Sequence, residues 1–595
     1  MSIENNYIVS DHIAEWLENH EISVVFGIIG SANSYIFDSI IRRGYTKIIY
    51  MHHEQAVAMA AGAYYRTSGK ISVAIVTAGG GASNAITGVL SNWADSIPCI
   101  VMSGQESTKY IEQHEHLRMY GTQGFDVVNM VQKITKFAQI VDKPSEIILS
   151  LDKAYKIALS GRQGPVWLDL PMDVQSTKIN KSELLPSETE YSEDSDIDLN
   201  YLIELMNVSE KPVILAGHGI RLSKSINEFN CLVSKFQIPI LHSWSAIDVI
   251  SSDNPLNFGC PGIYGQRVAN FIIQNCDLLI VIGSRLALPQ TSYNIDNFAP
   301  NAKIVMINND ENELNKHSRY EIKINSDCKK FIESLMLYSP DSYKPEWVDK
   351  CNFYKQEFPL IEDCHLKDNE NFDNSYVFIN QISQILDDDH IIVIGQGTPL
   401  PCAHQALFHK SNQTIFASNG LGEMGNGLPS AIGAAIASPE KKIILFDGDG
   451  SSMMNLQEMQ TLIGYNIPLK IVIFNNDGYL FIKHTQKMLF EGRYTGVDAE
   501  TGVSLPKFSK IANAFGIEYF SSVDNNVQEF LNFERCAIYE IFMNPEQDLV
   551  PKVKGIMTES GFLSPPIEDM SPLLPLETIQ KCMTKVNKIS YEIRS

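Results

Sequence analysis

Positive charge is scarce in this 595-residue chain: 47 Lys and Arg stand against 70 Asp and Glu, a formal net charge of −23. Nucleic acids and anionic membrane surfaces reward Lys/Arg-rich faces, so neither is expected as a partner, and an anionic ligand must be held locally. No run approaches the roughly 20 apolar residues of a membrane span, and the opening MSIENNYIVSDHIAEWL lacks a basic stretch followed by an apolar core. A cytoplasmic protein is expected. Ten cysteines are scattered from Cys99 to Cys582 without a CxxC pair, which favours reduced thiols over a disulfide framework or a thiolate metal site. No GxGxxG follows the first strand-like run, which disfavours a nicotinamide dehydrogenase. Short repeats and low-complexity tracts are missing too.

What is present is an ordinary globular balance, 44% hydrophobic and 20% charged, in a chain too long for one core. Short β-branched runs (Ser23–Phe26, Ser72–Val76, Pro98–Met102) alternate with helix-like segments such as Glu54–Arg66, the pattern of an α/β layer with a largely parallel sheet. The alternation resumes at Pro212–Leu215, Leu278–Ile282 and Ile304–Ile307, and again from Ile391–Ile394. The reading is therefore three consecutive α/β domains with largely parallel sheets, over 1–185, 199–345 and 376–560. Polar linkers are expected at 186–198, where the acidic SETEYSEDSDID lies, and at 346–375. Residues 561–595 read as an extended arm followed by a short helix.

Two strand ends carry the chemistry. Ile443-Ile444-Leu445-Phe446-Asp447-Gly448-Asp449-Gly450-Ser451 is a buried-strand pattern ending in a polar turn, and Asn476 follows Asp449 by 27 residues in Ile471-Val472-Ile473-Phe474-Asn475-Asn476-Asp477-Gly478. Ligands of parallel sheets sit in the crevice at the carboxyl ends of the strands, so both turns can face one molecule. Gly448 and Gly450 allow close approach of backbone to phosphate, and the helix after them, beginning near Ser451, offers free N–H groups. Asp449 and Asn476 supply hard oxygen ligands, with a main-chain carbonyl near Gly478 completing the protein share of a Mg²⁺ site that bridges to phosphate.

At this point the chain resembles the thiamine-diphosphate enzyme family, whose signature is GDG, a helix, and Asn-Asn after the next strand. His53-Glu54-Gln55-Ala56 matches the pattern around that family's activating glutamate. Thr77-Ala78-Gly79-Gly80-Gly81-Ala82-Ser83-Asn84 matches its glycine-rich turn, and Asp95-Ser96-Ile97-Pro98 its next landmark. The resemblance covers nearly the whole chain and implies a pyrimidine-binding, a central and a diphosphate-binding domain, with thiamine diphosphate and Mg²⁺ as cofactors. It casts Glu54 as the carboxylic group that stabilises the imino tautomer of the cofactor pyrimidine, so that a carbanion can form and attack a 2-keto acid. Burial in an apolar cleft is expected to favour that shared proton. By the same resemblance Met424, in Asn419-Gly420-Leu421-Gly422-Glu423-Met424-Gly425, holds the cofactor bent. Gly30, Thr77 and Asn84 on the pyrimidine side, and Gly397, Thr398, Gly422, Tyr479 and Leu480 on the diphosphate side, border it.

Within the family the chain is most similar to acetolactate-synthase-like enzymes, including those of surface-sugar pathways. Gly161-Arg162-Gln163-Gly164-Pro165-Val166, Ile567-Glu568-Asp569-Met570-Ser571-Pro572, and Gly478-Tyr479-Leu480 with Thr485-Gln486 carry that likeness. Pyruvate is the expected donor. Three departures point to a changed acceptor. Pro289 stands where those enzymes place an acceptor-binding arginine, a loss of about 1.5–3 kcal/mol for a keto-acid carboxylate. Thr485 replaces a tryptophan and removes about 150–250 Å² of contact surface. In Gly121-Thr122-Gln123-Gly124-Phe125-Asp126, Asp126 replaces a glutamine, and Gln123, Phe125 and Asp126 become candidate catalytic groups.

The central domain offers Gly217, Gly219, Gly283, Arg285 and Asn308 around a region that binds FAD in acetolactate synthases, so FAD is a candidate ligand of a structural kind. The expected activity is decarboxylation of a 2-keto acid and transfer of the acyl carbanion to a carbonyl acceptor such as a nucleotide keto-sugar. Acetolactate synthesis with a 2-keto acid acceptor, simple decarboxylation, and a catalytically silent cofactor-binding module are the alternatives. Only small-molecule substrates are expected, with a homodimer as the minimum assembly and a homotetramer as the expected one.

Overall fold

A computed structural model describes residues 7–186, 197–366, 372–524, 526–558 and 561–594. Among the described residues three sheets have five or six strands, one in each expected domain. The first is built from β1 (Val24–Gly27), β2 (Lys47–Tyr50), β3 (Val73–Val76), β4 (Ile100–Gln105), β5 (Phe137–Ile140) and β6 (Val166–Pro171). They run in the order β2-β1-β3-β4-β6-β5, all parallel. The central strands β3, β4 and β6 are buried along their whole length, as parallel strands covered by helices on both faces must be.

The central sheet comprises β7 (Pro212–Ala216), β8 (Ile240–His242), β9 (Leu278–Ile282), β10 (Lys303–Asn308) and β11 (Tyr320–Asn325), ordered β11-β10-β9-β7-β8 and parallel throughout. The third has β12 (Ile391–Ile394), β13 (Thr414–Ala417), β14 (Ile443–Gly448), β15 (Lys470–Asn475), β16 (Glu518–Ser521) and β17 (Ala537–Phe542). The pairs β12–β14, β14–β15 and β16–β17 are parallel.

The chain packs as two compact units: residues 1–193, 391–397 and 417–541 make one, and 194–390, 398–416 and 542–595 the other. In the first, the helix Glu54–Ser68 is the pivot. Three glycines allow its neighbours to close on it. A Cβ on Gly62 would lie 1.9 Å from Asn92 Oδ1, one on Gly88 2.6 Å from the Gln55 carbonyl, and one on Gly433, in the helix Gly427–Ala437, 2.2 Å from the Ala60 carbonyl. Close contact at these points fixes the helix that carries Glu54 at its first position.

In the second unit the segment 346–375, expected as a linker, begins with the helix Pro345–Glu357. Its Trp347, Cys351 and Tyr354 are buried in the core of the central domain beside Phe271, Ile579 and Cys582. Trp347, Cys351 and Tyr354 recur at three- and four-residue spacing, one face of a helix, a pattern that the surrounding charge obscured. The arm's Ile567, Met570, Ile579 and Cys582 join the same core, and its end forms the short helices Leu576–Cys582 and Lys588–Glu592. The acidic stretch at 187–196 lies outside the described residues. Among the described residues no helix is long and apolar enough to cross a membrane.

Candidate active site

On the first sheet the glycine-rich turn after β3 gathers the expected residues. A Cβ on Gly30 would sit 2.4 Å from Thr77 Oγ1, and one on Gly81 2.7 Å from Thr77 Cγ2 and 3.3 Å from Glu54 Oε1. Only glycine leaves room at these positions. Asn84 Nδ2 donates to Glu54 Oε2 at 3.0 Å, so the carboxyl is oriented by a side chain from the turn's own helix. Glu54 is half-buried and Asn84 exposed; the closed apolar cleft expected around the carboxyl is not formed by this single chain.

The loop Gly121–Asp126 reaches the same turn, since a Cβ on Gly79 would lie 2.8 Å from the Gln123 carbonyl. Two residues not anticipated from the sequence hold this loop. Glu106 Oε1 accepts from the Thr122 and Gln123 N–H groups at 2.9 Å each. Gln105 Nε2 donates to the Phe125 carbonyl at 3.0 Å and to Asp169 Oδ2 at 2.7 Å. Burial pushes the Asp169 carboxyl up to about 7. Asp126, expected to act on protons, is exposed and caps the helix Val127–Val131 by accepting from Asn129 N at 3.0 Å. Short polar side chains at a helix start commonly take this role, and one oxygen of Asp126 is committed to it.

On the third sheet, Gly448 of β14 pairs with Phe474 of β15, which brings the two polar turns side by side past the strand ends. Asp449 Oδ1 accepts from Gly450 N at 2.7 Å, and Oδ2 from Asn476 N at 3.0 Å and Gly478 N at 3.2 Å. Both turns therefore fold around one carboxylate. Burial raises its pKa to about 7 against these hydrogen bonds, which lower it. A buried carboxylate in need of a compensating charge, beside the Asn476 amide, is a donor set of hard oxygens that suits Mg²⁺. Asp387, Asp389 and His390 form a separate candidate cluster with both carboxylates exposed; it shares no residue with the Asp449 site.

The surrounding turns also converge. Gly425 N donates to Ser451 Oγ at 3.1 Å, and the Gly448 N–H to the Gln396 carbonyl at 3.1 Å, which places Gly397 beside Gly448. Gly422, at φ +73°, has open space where a Cβ would stand, with Gln396 Oε1 alone at 3.8 Å. Gln396 was missed; a polar residue at the end of β12 was its only signal. The Tyr479 ring lies over Gly450, 2.3 Å from where a Cβ would be. Leu480 is buried, whereas Met424 and Leu421 are each 36% exposed. Thr398 is buried and starts the segment assigned to the second unit.

In the central domain the glycines serve loop packing. A Cβ on Gly217 would lie 2.2 Å from Ser284 N, and one on Gly219 2.8 Å from the Gly283 Cα. Their missing side chains are taken up by contact between the loops after β7 and β9, not by an open cradle. Asn308 Oδ1 accepts from Asp310 N at 3.0 Å, and Arg285 is exposed.

A Gly-Asp-Gly turn and an Asn-Asn turn closing on one carboxylate, with a glutamate at a helix start beside a glycine-rich turn, define a thiamine-diphosphate enzyme. Family models bear on all three domains: the N-terminal TPP-binding domain matches residues 8–130, the central domain 199–335, and the C-terminal TPP-binding domain 395–540. The chain is 31% identical to the acetolactate synthase isozyme 1 large subunit of Escherichia coli K12 over 570 residues, 93% of this chain and 97% of that protein. It is 32% identical to the acetolactate synthase large subunit of Lactococcus lactis over 556 residues, covering 91% and 94%. The yeast mitochondrial catalytic subunit of acetolactate synthase is 29% identical over 581 residues, covering 91% and 81%. The chain belongs to the thiamine-diphosphate-dependent enzyme family, in its acetolactate-synthase-like branch.

Proposed function

We propose that the chain decarboxylates pyruvate and joins the remaining two-carbon acyl unit to a second 2-keto acid. The observation that carries the catalytic part is Glu54, set at the start of its helix and oriented by Asn84 against the glycine-rich turn. The names of relatives that span nearly its whole length favour the 2-keto acid acceptor.

When bound, thiamine diphosphate supplies a nucleophilic ring carbon and an electron sink for decarboxylation. Glu54 would share a proton with the pyrimidine, and the Asn84 amide would keep the carboxyl aimed while that proton moves. Asp449, the Asn476 side chain and the Gly478 carbonyl would hold Mg²⁺, and the backbone of Gly448, Gly450 and Ser451 would approach the diphosphate. Gln123 and Phe125 stand on the loop nearest the glycine-rich turn, where substrate enters in this reading. Carboligation involves no net redox change, so no flavin is required for turnover. Half-exposed Glu54 and the exposed apolar Leu421, Met424, Ile482, Leu489 and Phe490 support a second copy completing the site, with a dimer as the working unit.

A second reading, with an uncharged or bulkier carbonyl acceptor such as a nucleotide keto-sugar, rests on two positions. Pro289 is exposed and offers no cation, and Thr485 is exposed with its hydroxyl turned back onto the Phe481 carbonyl at 3.1 Å. Incubation with labelled pyruvate alone, and with a panel of aldehydes and nucleotide keto-sugars, distinguishes the two by mass spectrometry. Acetolactate from pyruvate alone supports the first reading. Its absence, with an adduct only when a keto-sugar is supplied, overturns it in favour of the second.

A further inference from the structure

The start of β7, the entry to the helix Pro345–Glu357 and the end of the helix Leu576–Cys582 line an open cavity of about 650 Å³, within the range of small-molecule sites. None of its lining residues belongs to the candidate active site. Lys211, Lys344, Lys350 and Lys581 line it, opposed only by Glu210 and Glu346. In a chain of net charge −23, four ammonium-bearing side chains around one cavity run against the overall composition.

Carboxylates meet little of this charge, although Lys350 Nζ donates to the Lys581 carbonyl at 3.3 Å. Lys350 Nζ and Lys581 Nζ lie 4.6 and 4.7 Å from the centroid of the same Phe353 ring. The two ammoniums are thus held within about 9 Å of each other, close to one Debye length at physiological salt. Lys211 Nζ donates to Thr584 Oγ1 at 3.0 Å and stands 6.0 Å from the Trp347 ring. Among the described residues Lys211, Lys350 and Lys581 have no carboxylate within ion-pair distance, and Lys344 has only Asp341, at 3.5 Å.

The walls add little that a neutral ligand could use. Trp347 Nε1 donates to the Pro212 carbonyl at 3.2 Å, and the Tyr354 hydroxyl to the Cys582 carbonyl at 2.6 Å. Recognition is left to the ammoniums, compact point charges with rotatable donors that suit phosphate oxygens. We propose that this cavity binds a phosphate-bearing metabolite carrying at least two negative charges.

The test is calorimetric titration of the holoenzyme, saturated with thiamine diphosphate and Mg²⁺, with inorganic pyrophosphate, ADP and citrate in parallel. The expected result is binding of pyrophosphate or ADP with Kd below about 1 mM, weakened by added salt and at least tenfold weaker in K350Q/K581Q. Pyruvate decarboxylation by that variant should be unchanged, and the single variant K581Q, altered at an exposed side chain, should bind at an intermediate level. Tighter ADP than pyrophosphate identifies a nucleotide, and the reverse a phosphate group alone; either supports the site. Citrate binding as tightly as both phosphates would overturn the assignment, as would undiminished binding in the double variant or none up to about 5 mM.

Discussion

Replacing Glu568 by glutamine should raise stability at alkaline pH and change it little in acid. Glu568 is 3% exposed, and its Oε2 accepts from Gln274 Nε2 at 2.7 Å. Burial, reinforced by the neighbouring Asp569, pushes the carboxyl up to about 7 from an ordinary 4.5. Because the folded-state value lies above the unfolded one, the favourable contribution of this group is fully present below pH 4.5 and is lost as pH rises through 7. A shift of that size, at 1.36 kcal/mol per unit, corresponds to about 3 kcal/mol of cost above pH 8. Glutamine keeps an oxygen for Gln274 and carries no charge, so E568Q avoids that cost. In thermal unfolding of the wild type and variant at pH 5 and pH 8, the variant should gain several degrees more at pH 8, at about 2–4 °C per kcal/mol for a domain of this size. An equal difference at both pH values would refute the assignment of a buried, reluctantly ionised carboxylate.

Other perturbations test other links. Asp449→Ala should abolish Mg²⁺-dependent retention of thiamine diphosphate, measured by equilibrium dialysis; unaltered affinity would remove Asp449 from the metal site. Asn84→Ala frees the Glu54 carboxyl, and loss of one hydrogen bond at an exposed position should lower kcat by about five- to tenfold, with cofactor affinity nearly unchanged. Gly62→Ala drives a Cβ to within 1.9 Å of Asn92 Oδ1 and should break the bond from Asn92 to the Ala58 carbonyl, costing about 1–3 kcal/mol in denaturant unfolding.

Several strands were legible because a buried parallel strand often shows itself as a short run of β-branched and aliphatic side chains. Leu278–Ile282 and Ile391–Ile394 form as read, and Ser72–Val76 differs only at its first residue. The Asp449 turn was legible for a different reason: its spacing to the Asn-Asn turn, 27 residues on, sets it apart from an ordinary strand–turn, and both turns fold around that carboxylate. Long-range partners were not. Nothing local in Gln105 or Glu106 says that either will grip a loop some 20 residues on, because that depends on where the loop lands. The helix Pro345–Glu357 was masked by its own charged face, and the cap at Asp126 competed with a chemical reading of the same carboxylate. Gly217 and Gly219 illustrate the converse: a glycine pattern that resembles a nucleotide turn is here required for loop-on-loop packing.

Cofactor-dependent decarboxylation through Glu54 can be followed by carbon NMR with carboxyl-labelled pyruvate. Labelled CO₂ and bicarbonate should appear only when thiamine diphosphate and Mg²⁺ are both supplied, and should vanish in Glu54→Gln while that variant still unfolds at the wild-type temperature. Release that persists without the cofactor, or at full rate in Glu54→Gln, would contradict it.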